Sequence, residues 1–176
     1  MTDYRNLYNQ LHKDEAYGKV IDQGSGSESL IDFGCSVLNV GCGRTDWNVR
    51  VQRLRRVQRI QAVDISDIAV AYQINKGIIC IRGEVQNIPF PDNEFDIVVC
   101  FDVLEHIPPQ DIDRSIKELM RVASKKVIAC MGFKTTYAGP RGERLHLTEK
   151  DKPWWIQVFR NYGEISIYKK FIILQV

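Results

Sequence analysis

The sequence predicts a doubly wound α/β domain, a mostly parallel sheet with helices on both faces, and three observations carry that expectation. Short apolar runs alternate with stretches of helical periodicity along the chain. One run, "FDIVVCF", is apolar on both faces, as a strand covered from two sides must be. The first run ends in a Gly-x-Gly turn, at the edge where such sheets open toward ligands. At 176 residues the chain fits one domain able to bury its own core.

Val37–Val40 is a short apolar run closing on glycine, a buried strand. Trp47, Val51 and Leu54 recur at i, i+4 and i+7, one face of a helix. Ile60–Ile65 is the next strand, after which Ser66 caps a helix that Gly77 stops. Ile78–Ile81 and Phe95–Phe101 are the third and fourth strands. Ile112, Ile116, Leu119 and Met120 mark an amphipathic helix, and "KVIACMGF" follows as the fifth strand. Thr148 stands where it can cap the last helix, with Asp151 three residues on and Pro153 near the first turn. Trp155, Val158, Phe159 and Tyr162 form the buried stripe of that helix, and Gly163 ends it. "EISIYKKFIILQV" reads as one long strand or as two short ones broken at Lys169–Lys170. The linker-like "QGSGSES" sets a polar arm apart. The single domain therefore divides into an arm (1–34), a ligand-binding core (35–133), and a loop, helix and closing strands (134–176).

A net charge of +2 gives no special attraction to nucleic acid or to a membrane surface. No run approaches the roughly 18 apolar residues of a membrane span. The opening "MTDYRNLYNQLHKDEAYGK" is polar and mixed in charge, unlike a secretory signal. The five cysteines include no C-x-x-C pair, and four lie in apolar runs, the pattern of small core residues in a reducing compartment. A cytoplasmic location is expected. In "RVQRLRRVQR" the arginines alternate with Val51 and Leu54, which is a solvated helix face before it is an RNA surface.

Gly41 and Gly43 let backbone N–H groups approach a ligand closely. Asp64 ends the second strand, 21 residues after Gly43, where a carboxylate can accept the hydroxyl protons of a ribose. Together they imply a nucleoside-containing cofactor. The dinucleotide pattern wants a third glycine, whereas this chain reads Gly41-x-Gly43-x-x-Asp46, and an acid at the helix start opposes a pyrophosphate. S-adenosylmethionine carries the same adenosine with no phosphate, and its positive sulfonium tolerates Asn39 and Asp46 nearby.

"VLNVGCG", "AVDIS" and above all "GEVQNIPFPDNEFDIVVCFDVLEHIPP" resemble the successive motifs of class I S-adenosylmethionine-dependent methyltransferases, in the small-molecule, type 11-like branch. The likeness runs from about Ser36 to Phe133. It implies a Rossmann-like, seven-stranded sheet with its last strand antiparallel. It also implies that Gly41, Cys42 and Gly43 line the methionine part, with Asn39 at its polar end, and that Asp64 takes the ribose hydroxyls. Ile65 would lie against the adenine, Glu84 and Val85 would hold its amino group and ring, and Phe101 would sit beside the reactive methyl. The family usually has Asp where Asn39 stands and Gly where Thr45 stands. The tail "HLTEKDKPWWIQVFRNYG" is more loosely similar to small methyltransferases of bacterial surface-glycan pathways, which makes Trp154 a candidate stacking surface for a sugar.

The resemblance implies methyl transfer to a small-molecule acceptor, and oxygen is the expected atom. An in-line displacement asks mainly for alignment and exclusion of water. An oxygen acceptor also loses a proton, for which a base is worth roughly 10²–10⁴-fold. His106 and His146 are the candidate bases, His106 ahead, and His12 reads as a surface residue. Asp102, Glu105 and His106 form a D-x-x-E-H cluster of the kind that holds a divalent ion in some O-methyltransferases; here it reads as a polar helix start, and no metal is expected. Tyr4, Tyr8, Tyr17 and the loop Thr135–Leu147 are expected to form a lid. The rival readings are an RNA methyltransferase and a non-catalytic binding module of the same fold.

Overall fold

Among the described residues, twelve α-helices and β-strands follow one another in the order that the sequence pattern expects. They are α1 (Tyr4–Lys13), β1 (Cys35–Val40), α2 (Trp47–Arg53), β2 (Val57–Asp64), α3 (Asp67–Asn75), β3 (Ile79–Arg82), β4 (Phe95–Phe101), α4 (Ile112–Val122), β5 (Ala123–Cys130), α5 (Lys152–Arg160), β6 (Ile165–Tyr168) and β7 (Phe171–Gln175). The structure is a computed structural model, and it describes residues 3–14, 17, 24–54, 57–132 and 142–176.

Among the described residues, seven strands form one sheet in the order β3-β2-β1-β4-β5-β7-β6. The first five are parallel, and β7 runs antiparallel to both β5 and β6. The closing segment is thus two strands. Lys169 takes a left-handed φ of 54° at the break, tight enough to return the chain directly.

Alternation along β1 and β4 sorts the core into two layers, because successive side chains point to opposite faces. Leu38, Val40, Val98 and Cys100 face α4 and α5, where Ile116, Leu119, Trp155 and Phe159 are buried. Val37, Val99 and Phe101 face the other way, against Trp47 and Val51 of α2.

Two local readings are corrected. Leu54 falls beyond the end of α2 and is 54% exposed, so it takes no part in that stripe. The cap of α5 is Asp151, whose side chain accepts the Trp154 N–H at 3.0 Å. Thr148 instead donates its hydroxyl to the Ile107 carbonyl at 2.7 Å, tying the approach to α5 onto the segment after β4. A threonine hydroxyl serves either role, and the chain's path decides which carbonyl it meets.

Candidate active site

Sheet order reverses between β1 and β4, and in open parallel sheets ligands bind outside the carboxyl ends of the strands at that crevice. A cavity of about 640 Å³ lies there, between the turn after β1, the ends of β2 and β4, and α1. That volume suits a small-molecule ligand of nucleoside size or larger.

The turn is held in a shape that glycine alone permits cheaply. Gly41 has φ 71°, and a Cβ there would lie 2.2 Å from Val103 Cγ2. Gly43, with φ 53°, donates its N–H to Asp64 Oδ2 at 2.8 Å. The Ser66 N–H reaches Asp64 Oδ1 at 2.9 Å. Burial pushes the Asp64 carboxyl above its ordinary range, while His12 and these backbone donors oppose the rise. Each carboxylate oxygen keeps a second lone pair. The Asp64–Gly43 link orients the acid against the turn.

Asn39 is 3% exposed, and its amide is committed to a polar chain beneath the turn. It donates to Asn48 Oδ1 at 2.9 Å, Asn48 donates to Gln73 Oε1 at 3.2 Å, and Gln73 donates to the carbonyls of Gly43 (2.9 Å) and Thr45 (3.0 Å). Asn48 and Gln73 escape sequence reading because each is a polar residue on a helix, fully buried only through this network. Asp46 faces away from the cavity: it is exposed, accepts the Tyr72 hydroxyl at 3.1 Å and pairs with Lys76 at 3.3 Å. Asp46 therefore does not oppose a pyrophosphate at the turn. The missing third glycine keeps its weight.

Cys42, Ile65, Glu84, Val85 and Phe101 line the same cavity. Cys42 turns its thiol inward, 3.8 Å from Cys80 Sγ. The Phe101 ring is wedged edge-on between Trp47 and Phe171, with centroids 5.4 and 5.5 Å away.

Beyond β4, Asp102 adopts φ 60°, a left-handed turn that an aspartate tolerates better than most residues. The turn brings Asp102, Glu105 and His146 together around Gly132, whose Cβ would meet all three within 3.2 Å. Glu105 is fully buried and accepts the Gly132 N–H, and its other oxygen has no partner among the described residues. Burial and the adjacent Asp102 push the Glu105 carboxyl well above the usual range. The His106 and His146 rings meet edge to face with centroids 4.8 Å apart. His106 Nδ1 lies 3.0 Å from the Leu145 carbonyl, which fixes the proton on Nδ1 and leaves the lone pair on Nε2. Burial holds its pKa down to about 4, so the ring is neutral at pH 7.

His106 lines the cavity, whereas His146, 7% exposed, stands behind it and is not part of the lining. Trp154 lies outside the cavity too, packed edge-on against Trp155 at 4.9 Å, and offers no stacking surface there. His12 is only 7% exposed and lines the cavity, which corrects its reading as a surface residue. Its neighbours Leu7 and Leu11 pack with Leu145, and that contact draws it in. Of the loop expected as a lid, Thr135–Leu147, residues 135–141 lie outside the described residues.

A metal would find three donors at one place, since ligand atoms of Glu105, His106 and His146 lie within 4.8 Å of one another. A tetrahedral zinc site with bonds near 2.0–2.1 Å has ligand atoms about 3.4 Å apart, so the cluster is wider than that site requires. S-adenosylmethionine fits the chain's residues better. A close-approach turn, an oriented carboxylate and an apolar wall at Val85 and Phe101 match its methionine, ribose and ring.

Comparison with known proteins agrees with this fold and site. The methyltransferase-domain family matches residues 38–131, more than half of the chain. A demethylmenaquinone methyltransferase of Staphylococcus saprophyticus is 32% identical over 101 residues, 54% of this chain and 42% of the relative. The chain spans about half the length of the curated relatives it matches. Among solved structures, magnesium protoporphyrin IX methyltransferase from Synechocystis PCC 6803 with bound S-adenosylhomocysteine superposes with TM-score 0.67 at 17% identity, covering 98% of this chain and 96% of the other. The 1,6-didemethyltoxoflavin-N1-methyltransferase of Burkholderia thailandensis gives TM-score 0.71 at 11% identity over 98% and 88%. These two likenesses establish the fold, and the family match establishes the rest: the chain belongs to the class I S-adenosylmethionine-dependent methyltransferases.

Proposed function

We propose that this domain transfers a methyl group from S-adenosylmethionine to an oxygen of a small-molecule acceptor, with His106 as the base. When bound, S-adenosylmethionine supplies an electrophilic methyl on a sulfonium whose departure needs no acid. Asn39, the Gly41–Gly43 turn, Asp64, Ile65, Glu84, Val85 and Phe101 are the residues proposed to hold it. The observation that carries the base is the His106–Leu145 contact at 3.0 Å. It orients a neutral imidazole at the cavity wall with its free lone pair on Nε2. Because burial keeps that ring weakly basic, the acceptor it suits best has an acidic hydroxyl, such as a phenol or hydroquinone. His146 supports His106 from behind.

The arginine stretch favours a small molecule over RNA. Arg50 pairs with Glu28 at 3.1 Å and Arg59 with Glu94 at 2.7 Å, while Arg55 and Arg56 lie outside the described residues. Tyr4, Tyr8 and Tyr17 line the cavity, so the arm 1–34 is proposed as a lid on the single domain, closing the site against water. Among the described residues no helix is long and apolar enough to cross a membrane; a cytoplasmic site of action is part of the proposal.

A second reading takes its acceptor from the relatives' names: a quinone resembling demethylmenaquinone, with carbon rather than oxygen as the atom to test. One assay separates the two. The protein is incubated with methyl-labelled S-adenosylmethionine and a panel of nucleotide sugars, phenols and demethylmenaquinone, and products are identified by mass spectrometry. Methyl ethers that disappear with His106→Ala support the oxygen reading. Label found on quinone carbon alone replaces it with the second, and no transfer to any acceptor, with cofactor bound, favours the binding module.

A further inference from the structure

Among the described residues, four buried side-chain polar atoms have no partner: Glu105 Oε2, His146 Nδ1, Trp155 Nε1 and His12 Nδ1. The first two belong to the cluster at the methyl end of the cavity, and Trp155 is in the core. His12 is on α1, more than nine-tenths buried and lining the cavity beside the Gly41–Gly43 turn. Buried polar groups nearly always find a partner, and of these four side chains only that of His12 belongs to the cavity wall.

The neighbours of His12 define which part of a ligand it meets. An ideal Cβ on Gly43 would lie 3.7 Å from His12 Cε1, so the ring stands directly over the turn. Asp64 is close enough to His12 for the two charges to influence one another. His12 and its helix are held from three sides. Arg44, next to the turn, donates to the His12 carbonyl; Tyr17 packs edge-on with centroids 5.2 Å apart; and Asn9, one turn earlier on α1, accepts the Ser66 hydroxyl at 2.8 Å. Arg5 and Asn9 both bond Asp67 at the start of α3, at 2.8 and 3.0 Å.

A vicinal diol presents two hydroxyl protons and the lone pairs of two oxygens. Asp64 can accept only the protons. The oxygens still need a donor, and His12 is the polar group from α1 standing next to that acid. We propose that His12 is a cofactor-binding residue, its imidazole N–H donating to a ribose hydroxyl oxygen while Asp64 accepts that hydroxyl's proton, so that α1 closes over the nucleoside. This rests on the reading that Asp64 takes the ribose. It adds to the site a residue from outside the stretch 38–131 that carries the family match.

The test is calorimetric titration with S-adenosylhomocysteine and with its 2′-deoxy and 3′-deoxy analogues. The proteins are the full chain and the variants His12→Ala, His12→Asn and Asp64→Asn, each checked for folding by near-ultraviolet circular dichroism. Loss of one hydrogen bond predicts about tenfold weaker binding of S-adenosylhomocysteine by His12→Ala. Against one of the two deoxy analogues the same variant should bind within about twofold of wild type, since the atom it recognises is gone. His12→Asn, which keeps a short side-chain N–H donor at that position, should recover part of the loss. An equal deficit against all three ligands, or none against any, overturns the proposal. If Asp64→Asn binds all three as wild type does, it is the ribose assignment of Asp64 that fails.

Discussion

Replacing Gly41 with alanine puts a methyl group where the structure has no room for one. Two costs can be separated. The first is conformational: φ 71° is left-handed, and an L-residue other than glycine, Asn or Asp pays about 1–2 kcal/mol there. The second is steric. The new carbon would sit 2.2 Å from Val103 Cγ2, against a normal contact of roughly 3.5–4.0 Å, so the chain must yield by more than an ångström. Overpacking of that kind costs about 1–3 kcal/mol. Gly41→Ala should therefore destabilise the domain by about 2–5 kcal/mol, which at about 2–4 °C per kcal/mol is a readily measured fall in melting temperature. Guanidinium titration gives the same quantity from the midpoint, provided the slope is unchanged. Val103→Ala in the Gly41→Ala background removes the steric part and leaves the conformational part, so the double variant should be more stable than the sum of the singles by about 1–3 kcal/mol. Additivity within about 0.5 kcal/mol would refute the contact and, with it, the claim that glycine is needed to bring the turn against the segment after β4.

Asp151→Ala should cost about 1 kcal/mol by removing the cap of α5, and Thr148→Val should cost a comparable amount by leaving the buried Ile107 carbonyl unpaired; a stability curve that moves with Thr148 alone would reverse the capping assignment. His106 has its pKa lowered to about 4 by burial, below an unfolded value near 6.5. Between those values the unfolded chain takes up a proton that the folded chain does not, so its contribution is present above pH 6.5 and is lost as pH falls toward 4. Up to about 3 kcal/mol is involved, and the gap between wild type and His106→Gln should narrow as the pH is lowered through that window; a gap independent of pH would exclude the shift. Chelation should leave methyl transfer unchanged, and a loss restored by added Mg²⁺ or Zn²⁺ would place an ion on Glu105, His106 and His146.

The legible parts of this molecule were those set by local periodicity. Strands β1, β2, β4 and β5 and helices α3 and α4 follow from apolar spacing and caps, and the turn at Gly41 and Gly43 from the backbone freedom that a close approach demands. What stayed illegible depends on residues distant in sequence. His146 joins His106 across 40 positions, and His12 reaches Asp64 across 52, so no local pattern reports either meeting. His12 was misread because a polar arm with mixed charge looks solvated until Leu7, Leu11 and Leu145 are seen to share one contact. Thr148 and Asp151 both have the chemistry of a cap, and only the path of the chain chooses between them. Asn39 reads from the sequence only as a ligand residue because its partners, Asn48 and Gln73, lie on two other elements.

The amide relay from Asn39 has a direction that cannot be turned around. It ends on the carbonyls of Gly43 and Thr45, which only accept, so Gln73 must present its nitrogen there and its oxygen to Asn48; Asn48 in turn must present its oxygen to position 39. A carboxylate at 39 would meet that oxygen acceptor to acceptor. An aspartate can therefore not be grafted in at 39 alone, and positions 39, 48 and 73 act as a single hydrogen-bonding unit. Among relatives of this chain they should change together, and an engineer moving the Gly41–Gly43 turn between such domains must move all three.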